Sequence, residues 1–87
     1  MELYKKIPFE HDEKSYEIQI HYHENLINIG AFLNNYPANG FRYQIQIPKK
    51  VEIQKILDEK HLRIFIDRTK KDIEENLWND FSSLFIA

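Results

Sequence analysis

The stretch YEIQIHYHENLINIGAFL, residues 16–33, decides how this chain folds. Tyr16, Ile18, Ile20 and Tyr22 alternate with Glu17, Gln19 and His21. A period of two marks a strand with one buried face. Residues 26–33 admit two readings. As a helix they put Leu26, Ile29, Leu33 and the following Tyr36 on one side; as a strand they put Ile27, Ile29, Ala31 and Leu33 there. The strand is preferred. A reversal at His23-Glu24-Asn25-Leu26 opposes Tyr22 to Ile27, Ile20 to Ile29, Ile18 to Ala31 and Tyr16 to Leu33. Every inward pair is apolar, and a slip of one residue would turn the whole set to solvent. Asn28 and Gly30 also disfavour a helix interior.

Downstream, Phe41, Tyr43, Ile45 and Ile47 alternate with Arg42, Gln44 and Gln46. Opposing Leu33 to Phe41 brings Ala31 to Tyr43, Ile29 to Ile45 and Ile27 to Ile47. The loop is then residues 34–40, which contains the turn dipeptide Asn39-Gly40. Upstream, Leu3, Ile7 and Phe9 predict a first strand, with its turn at His11 to Ser15. Lys5 and Pro8 interrupt it, which suits a sheet edge. After Pro48 the pattern changes. Ile53, Ile56, Leu57 and His61 share a helical face, and Leu62 to Asp67 reads as a short strand. Thr69 is placed to cap a further helix, with Asp72 reaching back. Ile73, Leu77, Phe81 and Leu84 mark that helix, widened by Trp78 and Phe85. The expected fold is α+β, a single domain over residues 1–87. An antiparallel meander of about four strands leads into a helix, a short strand and a C-terminal amphipathic helix packed on one sheet face.

Composition narrows the chemistry. The chain has 87 residues, 12 basic and 14 acidic side chains, and no cysteine. Disulfides, thiolate zinc sites and cysteine nucleophiles are excluded. No apolar run approaches the roughly 18 residues of a membrane span. Ionic side chains crowd the first twenty residues, unlike a secretory leader. A soluble, cytoplasmic protein is expected. Charge is segregated: residues 31–71 are net basic, whereas 1–30 and 72–87 are net acidic.

His21 and His23 stand two apart on a strand and project to one face, and imidazole is a common metal ligand. A metal site needs a third protein ligand. Glu24 is adjacent only in sequence, and His11, Asp12 and Glu13 fall at the other end of the strand, roughly 20 Å away. No metal and no other cofactor is expected. Ser15 sits in a turn and Ser82 and Ser83 lie late in a helix, none in a strand–turn–helix nucleophile context. With glycine only at 30 and 40, no loop cradles phosphate. The expectation is a protein that is not an enzyme and has no evident small-molecule substrate.

Two kinds of macromolecular contact are considered. Arg42, Lys49, Lys50 and Lys55 open a basic segment that could track single-stranded nucleic acid. Against this, Phe41 and Tyr43 belong to the predicted buried face, and the sequence pI is only about 6.1. The better surface is the outer sheet face, which collects Glu17, Gln19, His21, Asn28, Gly30, Phe32, Arg42, Gln44 and Gln46. The register sets His21 against Asn28, Asn28 against Gln46, Glu17 against Phe32, and Phe32 against Arg42. Amides dominate, lysine is absent, and Phe32 with Arg42 has the makeup of an interface anchor. A second contact is the C-terminal helix, where Leu84, Phe85 and Ile86 are apolar and Trp78 flanks the stripe. It is a candidate dimer surface.

Overall fold

The computed structural model describes residues 1–85. Five strands form one antiparallel sheet: β1 (Glu2–His11), β2 (Lys14–His23), β3 (Leu26–Leu33), β4 (Tyr36–Pro37) and β5 (Tyr43–Gln46). Their order is β1-β2-β3, with β4 and β5 both pairing with β3 on its far side. A 3₁₀ turn at Ile53–Lys55 precedes α1 (Glu59–Glu74), and α2 (Leu77–Ser82) ends in a 3₁₀ turn at Ser83–Phe85. The α+β class, the antiparallel meander and a C-terminal helix are all present. No helix among the described residues is long and apolar enough to cross a membrane.

β2 and β3 pair as the alternation requires: Tyr22 with Ile27, Ile20 with Ile29, Ile18 with Ala31, Tyr16 with Leu33. β1 runs along the other side of β2, with Ile7 opposite Ile18 and Phe9 opposite Tyr16; a bulge separates Leu3 from Lys5. The reversals are tight and use left-handed backbone. Asp12 and Glu13 have φ of 50° and 63°, Glu24 has 53°, and Asn34 and Asn35 have 53° and 65°.

The third reversal departs from expectation. Asn34 and Asn35 make the turn themselves, pairing Leu33 with Tyr36 and Phe32 with Pro37. Asparagine tolerates the left-handed conformation better than most residues, so the chain reverses at once. Residues 38–42 then cross over, and β5 sets Tyr43 against Ile29, Ile45 against Ile27 and Gln44 against Asn28. The expected β3–β5 register is therefore shifted by two residues. An even shift preserves the faces, so the isoleucines still point inward. Gly40 is needed for space rather than for the turn, because a Cβ there would overlap the Trp78 ring.

Ile18, Ile20, Ile27 and Ile29 are completely buried on the inner face, and Ile47, Leu57, Leu62 and Ile66 complete the core. The cover is α1, which begins at Glu59 rather than after Thr69. Residues 62–67 are thus helix, not strand. Ile64 is 72 % exposed, while Leu62, Ile66, Thr69 and Asp72 are buried, a helical spacing. The capping box is also corrected. Thr69 lies inside the helix and donates from Oγ1 to the Phe65 carbonyl at 2.7 Å. The true N-cap is Asp58, which accepts from the His61 N–H at 2.7 Å. Upstream, the helix expected over 53–61 shrinks to the 3₁₀ turn plus this cap. Asp72 is 2 % exposed; it accepts the Tyr43 hydroxyl and pairs with Arg68 Nε at 3.3 Å. That buried carboxylate ties α1 to β5. Asn76, at φ 52°, breaks the helical path, so the stripe expected from Ile73 to Leu84 is divided between α1 and α2.

Candidate functional site

The outer face of a sheet is usually bare, but here it carries a recess of about 220 Å³. Gln19, His21, Asn28, Phe32, Arg42 and Gln44 line it, joined by Met1 and Gly30. Strand alternation supplies Gln19 and His21 from β2, Asn28, Gly30 and Phe32 from β3, and Gln44 from β5. Arg42 comes from the crossover. Asn39 shapes that crossover by accepting the Phe41 N–H on its side-chain oxygen at 3.0 Å. Ala38 N–H donates to the Ala31 carbonyl at 2.9 Å and holds the crossover to β3.

Three restraints fix the Arg42 side chain. Its Cζ sits 5.1 Å from the centroid of the Phe32 ring, within cation–π range. Its Nη1 donates to the carbonyls of Asn39 at 3.2 Å and Phe41 at 2.6 Å. It also runs across Gly30, where a Cβ would lie 2.7 Å from Arg42 Cδ and 2.9 Å from Nε. Only glycine permits that approach without displacement. Partial burial pushes the guanidinium pKa down from its ordinary value.

The floor is polar. Gln19 is 7 % exposed although it points to the outer face. Asn28 donates from Nδ2 to Met1 Sδ at 2.9 Å, and its Oδ1 is buried without a partner among the described residues. His21 packs 6.3 Å from Phe32, ring to ring. Desolvation lowers the His21 pKa first, and the positive charges of the N-terminal amine and Lys6 add to it. The ring is therefore held toward its neutral form.

Two predicted face residues fall outside the recess. Glu17 pairs across the sheet with Phe32 but does not line it. Gln46 sits at the other end of β5, opposite Leu26 rather than Asn28, and donates weakly to the Asn25 carbonyl at 3.4 Å. Phe32 and Arg42 do meet, though not as a strand pair, because Arg42 precedes β5. Met1 and the shaping role of Asn39 have no sequence signal beyond the asparagine-rich loop. Gly30 had one, since an isolated glycine inside a strand often marks a close approach.

The chain matches no family, no curated protein and no solved structure with which it was compared.

The remaining candidates are dispersed. Six residues, the four of β5 followed by Ile47 and Pro48, separate Arg42 from Lys49 and Lys50. Lys55 lies in the 3₁₀ turn beyond them. Phe41 turns to Trp78, edge to face at 5.3 Å, instead of joining the sheet's inner pairs. His23 is exposed and lies 3.8 Å from Glu24. No group of three histidine, aspartate or glutamate side chains among the described residues is placed to hold a metal ion. At the C-terminus Phe81, Leu84 and Phe85 are 45 %, 73 % and 69 % exposed. Ile86 lies outside the described residues.

Proposed function

We propose that this chain is a small, non-catalytic interaction or regulatory module of the cytoplasm that binds a protein partner through its outer sheet face. One observation carries the reading: the Arg42 guanidinium is stacked on Phe32 and seated over Gly30, beside an open recess. Arginine and aromatic side chains fixed at the centre of a charge-poor patch are what binding hot spots are made of. The rim supplies Glu17 and Gln46, and the amides of Gln19, Asn28 and Gln44 offer directional hydrogen bonds.

The test is capture of partners by tagged protein from source-cell lysate, with and without nuclease. Phe32→Glu is expected to abolish capture and leave the unfolding transition near its original midpoint. Undiminished capture by Phe32→Glu overturns the reading. Capture that disappears with nuclease would favour the single-stranded nucleic-acid alternative through Arg42, Lys49, Lys50 and Lys55.

A second reading, self-association through the C-terminal helix, is favoured by the exposure of Phe81, Leu84 and Phe85. A homodimer of this kind would have twice the monomer mass by light scattering, and a monomeric mass at high concentration would dismiss it.

A further inference from the structure

We propose that the outer-face recess is a carboxylate site, and that its occupant is the acidic side chain of a partner protein. This inference rests on the sheet-face reading and names the chemistry that the face recognises.

Arg42 is the starting point. Among the described residues no acidic group pairs with it, and its only hydrogen bonds use Nη1. The planar fork is nonetheless immobilised by Phe32 beneath it and by Gly30 beside it. A partly desolvated guanidinium with unused donors loses hydration without gaining a counter-ion. Carboxylates match the fork geometry and restore that loss. No aspartate or glutamate is among the lining residues, and Glu17 stands outside them, opposite Phe32.

The remaining walls sharpen the choice. His21 is held toward its neutral state, so the positive charge at the lining comes from Arg42 and the N-terminal amine of Met1. Gln19 is nearly buried and its amide makes no hydrogen bond to another described residue, so it is available to donate. Asn28 presents the opposite need, a buried Oδ1 with no donor. An acidic residue within a peptide carries both partners, a carboxylate and a nearby backbone N–H. The volume agrees. The recess, about 220 Å³, has room for one such side chain and its peptide group.

The experiment is an NMR titration of the isotopically labelled chain with N-acetylglutamate N-methylamide. The glutamine analogue and inorganic phosphate are run in parallel. The expected result is a saturable shift of the Arg42 Nε–H and the side-chain amides of Gln19 and Gln44, with affinity in the millimolar range. The glutamine analogue should bind about tenfold more weakly or worse, since it lacks the charge-assisted pair. Arg42→Lys should weaken the glutamate probe by a similar factor. Gly30→Ala should do the same while leaving every charge in place, because it displaces only the guanidinium. Each variant is first checked for the dispersed amide spectrum of a folded sheet, so that either one suffices if the other does not fold. Equal affinity for the glutamine analogue, tighter phosphate binding, or no shift up to the probe's solubility limit would each overturn the proposal. A silent titration in a protein whose partner capture is still abolished by Phe32→Glu removes the carboxylate site alone. A positive titration with capture unaffected by Phe32→Glu keeps the site and removes the sheet-face reading.

Discussion

The two faces of the sheet solve opposite problems with the same strands. The inner face is closed by shape: four isoleucines at zero exposure meet Leu62 and Ile66 of α1. The outer face is closed by almost nothing. Its one organised feature is an arginine laid across a glycine, over a floor of amides. The inner face therefore stores stability and the outer face stores specificity. Substitutions on the first should move the unfolding midpoint, and substitutions on the second should move binding while the fold persists.

The sharpest way to break this division is at the centre of β3, where Ile29 and Phe32 lie three residues apart on opposite faces. Ile29→Ala removes a fully buried side chain and should cost about 2–5 kcal/mol in urea unfolding. The Phe32→Glu protein, tested in the same experiment, should remain near the original midpoint. If the two lose comparable stability, the outer face is structural and the division fails.

The next effect is on the polar lock beneath α1. Tyr43→Phe removes the hydroxyl that Asp72 accepts and leaves that carboxylate to Arg68 alone. A loss of about 1–2 kcal/mol is expected, the usual cost of depriving a buried polar group of a partner. An unchanged midpoint would mean that the core, not this lock, seats α1.

How much of this was legible in the sequence divides along the chain. The β2–β3 register follows residue for residue, because alternation fixes its parity and the short turn at residues 23–26 fixes the rest. The β3–β5 register is off by two because Asn39-Gly40 resembles a turn more than Asn34-Asn35 does. The parity survived, and with it the outer-face set. Beyond Pro48 the signal was obscured. The buried stripe of α1 passes through Thr69 and Asp72, polar residues that hydropathy reads as surface, while the exposed Ile64 completes a false strand. Both polar positions are satisfied by partners that only the folded chain provides, the Phe65 carbonyl and the Tyr43 hydroxyl. The recess was half visible. Its residue types could be read from alternation, but the crossover that carries Arg42 over Gly30 could not.

Two smaller effects separate the faces by pH. Asp58 is held below its ordinary value of 3.8, first by the His61 backbone N–H and then by the His61 ring. A depressed carboxyl stabilises the fold above the unfolded value and loses that contribution as pH falls through the folded one. Asp58→Ala should therefore lower the thermal midpoint at neutral pH, and the difference should shrink as pH falls below 3.8 toward the lower folded value. On the outer face, His21 is depressed from 6.5 by desolvation. Here the unfolded chain takes up the proton first, so stability declines as pH falls from 6.5 toward the lower folded value. His21→Gln should remove that decline while leaving the acid response of Asp58 intact, as urea melts across the range would show. A decline that persists in His21→Gln would assign it to another group.

Trp78 is the chain's one tryptophan, and its ring rests on Gly40 and against Phe41, the two residues before Arg42. Intrinsic fluorescence is consequently a local gauge in this protein. It senses how the crossover is seated, through a fluorophore packed edge to face against Phe41. A small cavity of about 90 Å³ beside Asn39 and Trp78 gives the indole room to respond. An emission change without a change in far-ultraviolet circular dichroism would mark movement of the crossover itself. The molecule thus carries its own optical label next to the surface it is proposed to use.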